Sequence, residues 1–288
     1  MSDHQFTRRL ENQFPRSTDL PTQSSKFWAK EKDRYIRQQL IADIERESGR
    51  ETIVYFAQLD QQISHADPDD LSEIIDGLQT KDIDLVLQTP GGLVDAVEKV
   101  VTVLRGRLNT FRVIVPSWAK SGGTVIAMSA DSVLLGVNSE LGPIDPQINL
   151  QGIGPVSAEI VANDASKDAT LRAVCNAHVL RMRALAGKIL ESRTNEKGVR
   201  SFNNDQVQEI IKKISSASTY MSHGAVIDYA EAKELGFNVE WMDADSLLWK
   251  RIWLLYCCYD HDLRTRRLAK VIEGACNSIA KPLPVSSP

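Results

Sequence analysis

Strand-like apolar segments alternate with helical segments over residues 52–135, and this alternation constrains the fold more than any other feature of the chain. The predicted strands cover residues 52–57, 83–87, 112–116 and 132–135. The segments between them are predicted helices, two amphipathic and one built from small residues. Strands that alternate with helices are typical of a mostly parallel sheet with right-handed crossover connections. The sequence therefore predicts an α/β fold.

Outside these strands the pattern predicts mostly helix. Asp67 and Pro68 are expected to supply the N-cap and the first turn of the first crossover helix. Residues 149–155 contain glycine and polar side chains and are expected to form a loop. Further helices are predicted over residues 36–44, 168–193, 205–214, 230–235 and 247–279.

The chain is expected to have three parts. Residues 1–50 are predicted to form a helical N-terminal arm that packs on the body of the protein or on a partner subunit. Residues 51–245 form the predicted core, and residues 246–288 a helical C-terminal extension. No internal repeat divides the chain further.

The composition is that of an ordinary soluble globular protein. Of the 288 residues, 42% are hydrophobic and 25% are charged. The formal net charge of −4 argues against a general nucleic-acid-binding function. Residues 1–9 are polar and charged, unlike a signal peptide, and the apolar run at residues 252–259 is too short to span a bilayer. We therefore expect a cytoplasmic protein without a membrane span.

The 4 cysteines favour neither a disulfide framework nor a zinc site, because no CxxC spacing occurs among them. We expect reduced and mostly buried thiols. The sequence contains no P-loop motif, and neither a metal nor a nucleotide cofactor is expected.

Two glycine-rich turns, at residues 89–92 (TPGG) and 120–124 (KSGGT), are separated by one predicted helix and one predicted strand. Gly91 and Gly92 leave backbone N–H groups unshielded, and Ser121 offers a hydroxyl at a helix start. Taken singly, the first is an ordinary strand-to-helix turn and the second a capped helix. Because ligands of parallel sheets bind at the carboxyl ends of the strands, the pair favours a site that attacks a carbonyl group.

A nucleophilic serine needs a base, and the residues alone leave its identity open. The candidates are five histidines, at positions 4, 65, 178, 223 and 261, and three lysines, Lys120, Lys167 and Lys188. A lysine can serve where apolar surroundings depress its pKa. The rigid segment at residues 141–147 (LGPIDPQ) is expected to wall the site, with Asp145 as a turn residue.

Three motifs in this order, at residues 87–92, 119–124 and 141–147, resemble the serine dehydrogenase proteinase family. A later segment, residues 222–236, resembles the same group. This family is related to signal peptide peptidase A and has the Clp-protease/crotonase superfamily fold. The resemblance extends over roughly residues 50–240 and implies repeated β-β-α units.

The resemblance also implies roles for individual residues. Ser121 corresponds to the nucleophile, Gly91 and Gly92 correspond to the oxyanion hole, and Gly122 lies beside the nucleophile. Lys167 corresponds to the base of a Ser-Lys dyad. A soluble serine endopeptidase that acts on peptides or proteins and forms a homo-oligomer is therefore expected. The alternatives are a crotonase-like acyl-thioester enzyme and an inactive scaffold that has lost its base.

Overall fold

The computed structural model describes residues 24–193 and 201–284. In this part of the chain the strands are β1 (Glu51–Ala57), β2 (Asp82–Gln88), β3 (Thr110–Val115), β4 (Trp118–Ala119), β5 (Ser132–Leu135), β6 (Glu140–Leu141), β7 (Gln147–Leu150), β8 (Gly154–Ser157), β9 (Val239–Trp241), β10 (Leu268–Glu273) and β11 (Ser278–Pro282). The helices are α1 (Ser25–Ser48), α2 (Asp67–Asp76), α3 (Val94–Arg107), α4 (Gly122–Ser129), α5 (Ala158–Asn163), α6 (Ala169–Ser192), α7 (Asn204–Ser215), α8 (Ala217–Tyr220), α9 (Tyr229–Glu234) and α10 (Leu247–Thr265).

A seven-stranded sheet forms the centre of the protein, in the order β11-β10-β1-β2-β3-β5-β9. The strands from β1 to β9 in this order are parallel, whereas β10 runs antiparallel to β1 and β11 antiparallel to β10. The predicted mixed α/β fold with a mostly parallel sheet is therefore confirmed. Strands β4 and β6 form a separate parallel pair, and β7 and β8 an antiparallel hairpin.

The central strands β1, β2, β3 and β5 are buried on both faces of the sheet, which explains why they are mostly apolar. Ile53 and Leu85 belong to a core that includes residues of α2, α3, α4, α6 and α7. Their chain neighbours Val54 and Val86 belong to a second core, formed with α1 and α10 on the opposite face. The helices at the two ends of the described chain thus cover one face of the sheet. The division into domains at residues 50 and 245 stays a prediction.

Two predictions of secondary structure are wrong. Residues 149–155 belong to the β7–β8 hairpin, in which Leu150 pairs with Gly154. Gly152 and Gly154 make the tight connection because both adopt positive φ, 80° and 98°. The helix predicted over residues 247–279 ends at Thr265, and the chain then forms β10 and β11. Pairing of β10 with the edge of β1 is a long-range interaction that helical periodicity does not show.

Asp67 is the first residue of α2 and does not cap it. Ala66 occupies the N-cap position without a side-chain hydrogen bond. The Asp67 carboxylate is instead buried and accepts hydrogen bonds from Tyr55 and Lys270, at 2.9 and 2.7 Å. The first helical turn therefore contains a charged group committed to tertiary contacts.

No helix in the described ranges is long and apolar enough to cross a membrane. The prediction of mostly buried thiols holds for Cys175, whereas Cys257 and Cys276 are exposed and Cys258 is half-buried. Cys257 lies on α10, and Cys276 lies in the turn between β10 and β11.

Candidate active site

The two glycine turns lie against each other at the carboxyl edge of the sheet. Thr89 and Ala119 form a parallel bridge that ties the end of β2 to β4. A Cβ atom placed on Gly91 would lie 2.6 Å from the nitrogen of Gly122 and 2.7 Å from the Cβ of Ser121. The expected convergence of the turns is therefore confirmed, and only glycine fits at position 91.

The turn at Gly91 and Gly92 is held by the segment that follows β1. The Ile63 N–H donates to the carbonyl of Gly91 at 2.7 Å, and the Leu93 N–H donates to the carbonyl of Ile63 at 3.1 Å. This parallel bridge uses the amides of Ile63 and Leu93 and leaves that of Gly92 directed away from Ile63. Gly91 has φ of +94°, a backbone conformation that residues with a side chain rarely adopt.

Ser121 occupies the N-cap position of α4 but does not cap the helix. Its side chain makes no capping hydrogen bond, and its backbone has φ of 52° and ψ of −115°. A non-glycine residue in such a conformation stores strain, which is typical of functional positions. The Gly122 amide begins α4, so it has no partner within the helix. The sequence left capping and catalysis open for Ser121, and its geometry disfavours capping.

A cavity of about 830 Å³ lies in front of these turns. Its lining includes Gly91, Gly92, Ser121, Gln147 and His223. His65 and His178 also line the cavity, and both are exposed. Of the four histidines in the described residues, three thus surround one cavity with the serine and His261 lies on α10, whereas the candidate His4 lies outside the described residues.

His223 differs from the other two because a buried carboxylate holds it. The Nδ1 of His223 lies 2.7 Å from the Oδ1 of Asp145, which is only 3% exposed. The Gln147 side chain donates from Nε2 to the second carboxylate oxygen of Asp145, also at 2.7 Å. Sequence reasoning took Asp145 as a turn residue and left His223 among five candidates. Both residues fall within segments that resemble the family, and this was the available signal.

The segments that carry Asp145 and His223 are joined by backbone and side-chain bonds. Leu141 and Ile227 form an antiparallel bridge. The Lys120 ammonium donates to the carbonyls of Leu141 and Ala225, at 3.1 and 3.0 Å, and lies 3.0 Å from a carboxylate oxygen of Glu140. Lys120 therefore connects the serine turn to the segment that precedes Ile227.

Thr124 fixes helix α4 against the loop that leads to Asp145. Its hydroxyl lies 2.8 Å from the carbonyl of Gly142 and accepts a hydrogen bond from the Gly142 amide at 3.0 Å. This side chain is completely buried. The serine turn and the proline-rich segment are consequently parts of one rigid unit.

The remaining predicted lysines lie elsewhere. Lys167 is half-buried in the turn between α5 and α6, where its amide donates to the carbonyl of Asp164 at 3.1 Å. It is not part of the cavity lining that contains Ser121. Lys188 is exposed on α6. Lys167 as the base stays a prediction.

The fold and this site place the chain among α/β proteins that carry a serine at the start of a buried helix. Residues 50–272 match the family of ClpP-like SDH-type serine proteinases, so the chain belongs to this family. The resemblance inferred from the motifs is confirmed. The match extends beyond residue 240 and takes in α10 and most of β10.

Two curated relatives come from Methanocaldococcus jannaschii. The uncharacterized protein MJ0137 is 30% identical over 190 residues, which cover 65% of this chain and 61% of the relative. The uncharacterized protein MJ1495 is 30% identical over 163 residues, which cover 54% of this chain and 51% of the relative. The chain thus spans less than two thirds of either relative.

Similar solved structures include ClpP1 from Listeria monocytogenes, at 16% identity and a TM-score of 0.42, covering 67% of this chain and 91% of that one. A mutant of the 1510-N membrane-bound stomatin-specific protease has 18% identity and a TM-score of 0.45, covering 70% of this chain and 84% of that one. Assignment to the family rests on the match of residues 50–272.

Proposed function

We propose that this chain is a serine peptidase in which Ser121 is the nucleophile and His223 the general base. The observation that carries the proposal is that Ser121 and His223 line one cavity while a buried carboxylate, that of Asp145, holds the histidine. Such a carboxylate orients an imidazole and stabilises its protonated form. The family match supports a peptidase over the acyl-thioester enzyme and the inactive scaffold.

The chemistry follows from these positions. With Nδ1 of His223 donating to Asp145, Nε2 carries the lone pair that accepts the proton of the Ser121 hydroxyl. The Ser121 oxygen then bonds to the peptide carbonyl carbon, and the imidazolium gives its proton to the leaving amine as the C–N bond breaks. Water, activated by the same imidazole, hydrolyses the acyl-enzyme and restores the serine.

We assign the stabilisation of the negative charge that develops on the carbonyl oxygen to the amides of Gly92 and Gly122. The direction of the Gly92 N–H supports this role for Gly92, and the position of Gly122 at the start of α4 supports it for Gly122. The Gly91 amide, which was also expected at the oxyanion hole, donates to the Thr89 hydroxyl at 3.2 Å, so the part we assign to Gly91 is to permit the close approach of the two turns.

The Ser-Lys dyad expected from the family resemblance is the rival arrangement, with Lys167 in place of His223. Lys167 is not among the residues that line the cavity. A Ser-Lys dyad would also leave the hydrogen-bonded pair of Asp145 and His223 without a catalytic role. The position of His223 beside Asp145 favours the histidine. Replacement of each residue separately distinguishes the two bases.

Peptides or proteins are the proposed substrates, because the cavity is open and large enough for a peptide segment. The superfamily resemblance supports a homo-oligomer. Light scattering measures the mass in solution, and a monomer at all concentrations would remove this part of the proposal.

Labelling with a fluorophosphonate probe tests the nucleophile, since the probe reacts with activated serines. We expect the wild-type protein to be labelled and Ser121→Ala to remain unlabelled. Ser72→Ala is the control, because that hydroxyl lies on α2 and donates to the carbonyl of Pro68. Undiminished labelling of Ser121→Ala would refute the assignment.

A further inference from the structure

A buried charge cluster lies next to the turn that carries Gly92, although it is formed by residues far apart in the chain. Asp67 at the start of α2 is completely buried, and Lys270 on β10 is 5% exposed. The Lys270 ammonium lies 2.7 Å from a carboxylate oxygen of Asp67. Burial alone would raise the pKa of Asp67, but hydrogen bonds from Lys270, Ser64 and Tyr55 outweigh it and lower that pKa.

The cluster forms hydrogen bonds to the backbone on both sides of Ile63. On one side, Lys270 donates to the carbonyl of Gln62 at 2.7 Å. On the other side, the Ser64 amide donates to the Asp67 carboxylate at 2.7 Å. Because Lys270 and Asp67 are themselves paired, the backbone of Ile63 is fixed between two anchored neighbours.

Ile63 in turn fixes Gly92. The Ile63 amide donates to the carbonyl of Gly91, and the Ile63 carbonyl accepts from the amide of Leu93, so both neighbours of Gly92 are held. A Cβ atom on Gly92 would lie 2.3 Å from the Ile63 nitrogen and 2.4 Å from the Ile63 oxygen. The two backbones are therefore in contact, and a shift of Ile63 displaces Gly92.

We infer that Lys270 is a positioning residue for the oxyanion hole, acting through Gln62 and Ile63 on the amide of Gly92. The inference rests on the proposed function, in which that amide stabilises the oxyanion. It gives the antiparallel edge strand β10 a part in the site. Lys270 pairs with Ala57 at the carboxyl end of β1, which is the edge of the sheet where the glycine turns lie.

The same strand provides a matched control. Glu273 on β10 is also completely buried in a charge cluster, with Arg37 and Tyr259 as partners. It pairs with Val54, nearer the middle of β1, and its contacts involve α1 and α10. Loss of Glu273 perturbs the strand without touching the segment around Ile63.

The experiment measures how the rate of fluorophosphonate labelling at Ser121 depends on probe concentration. The variants are Lys270→Met, Lys270→Arg and Glu273→Gln. Urea unfolding gives the folded fraction of each variant, and labelling rates are compared under conditions in which these fractions are equal. Lys281 lies 3.2 Å from the other oxygen of Asp67 and leaves that carboxylate a partner in Lys270→Met. Should Lys270→Met still fail to fold, the double variant Asp67→Asn/Lys270→Met removes both charges and is tested in its place.

We expect Lys270→Met to lower the maximal labelling rate roughly 10- to 100-fold, because small displacements of catalytic groups have effects of this size. The concentration for half-maximal rate should stay unchanged, Lys270→Arg should recover part of the rate, and Glu273→Gln should label as the wild type does. Equal rates for Lys270→Met and Glu273→Gln would overturn the inference about Lys270 and leave the proposed function in place. A wild-type protein that shows no Ser121-dependent labelling would instead overturn the proposed function.

Discussion

The imidazole of His223 and the carboxylate of Asp145 are joined by a 2.7 Å hydrogen bond across 78 positions of the chain. The bond links the segment after β6 to the segment before α9. It gives the cavity a histidine of fixed orientation, and the same cavity is lined by Ser121, whose hydroxyl is not used for capping.

Replacing His223 with glutamine should remove most of the peptidase activity. Loss of a general base lowers the rate by about 10²- to 10⁴-fold, and Asp145→Asn should act in the same direction because the imidazole loses its orienting carboxylate. Lys167→Met should retain activity. The measurement is kcat/KM on a fluorescent casein substrate. An inactive Lys167→Met beside an active His223→Gln would establish the Ser-Lys dyad instead.

Replacing Gly91 with alanine should destabilise the protein and abolish labelling of Ser121. The positive φ costs about 1–2 kcal/mol in an L-residue, and the contact with Gly122 and Ser121 adds about 1–3 kcal/mol. Gly106→Ala is the control, because a Cβ at that position on α3 meets nothing within 4 Å. It should stabilise the helix by up to about 1 kcal/mol. Urea unfolding measures both, and an unchanged stability of Gly91→Ala would contradict the close approach.

Replacing Gln147 with alanine should lower kcat with little change in KM. Its amide is a hydrogen-bond donor to Asp145, and a bond to a charged group is worth about 1.5–3 kcal/mol, or roughly tenfold to a hundredfold in rate if the whole effect reaches the transition state. Asn149→Ala is a matched control on the same strand, since Asn149 is exposed and outside the cavity lining. Equal kinetics for the two variants would show that Gln147 does not orient Asp145.

Lowering the pH should weaken the hydrogen bonds by which Glu159 on α5 contacts Arg183 on α6 and the start of α8. Burial alone would raise the pKa of Glu159, but hydrogen bonds from the Ala217 amide, Arg183 and Ser216 hold it below its ordinary value of 4.5. A carboxyl whose pKa is lower in the folded state contributes stability above its unfolded pKa, and this contribution is lost as the pH falls through the folded pKa.

Glu159→Gln should therefore be less stable than the wild type by about 1–3 kcal/mol near neutral pH. The difference in the free energy of unfolding should shrink as the pH falls below 4.5. Urea unfolding of both proteins at a series of pH values measures it. A difference that stays constant over this acidic range would show that the Glu159 charge contributes nothing.

Local periodicity was sufficient to predict most of the strands in the sheet and the helices that connect them. Strand β5 has the predicted bounds, and α6 differs from its prediction by a residue at each end. Burial on both faces makes a parallel strand apolar throughout, and this pattern is visible in any short window of residues. The same local view failed for β10, because its pairing with β1 joins segments more than 200 residues apart.

The sequence by itself determined the α/β class, the two glycine turns and Ser121 as the candidate nucleophile, because backbone freedom and helix starts depend on neighbouring residues. Only the tertiary structure placed His223 beside the buried carboxylate of Asp145, which the sequence had indicated as a turn residue. It also brought Lys270 beside Asp67. The physical reason is that a hydrogen bond between distant residues depends on where the sheet places their segments, and no local pattern of side chains encodes that distance.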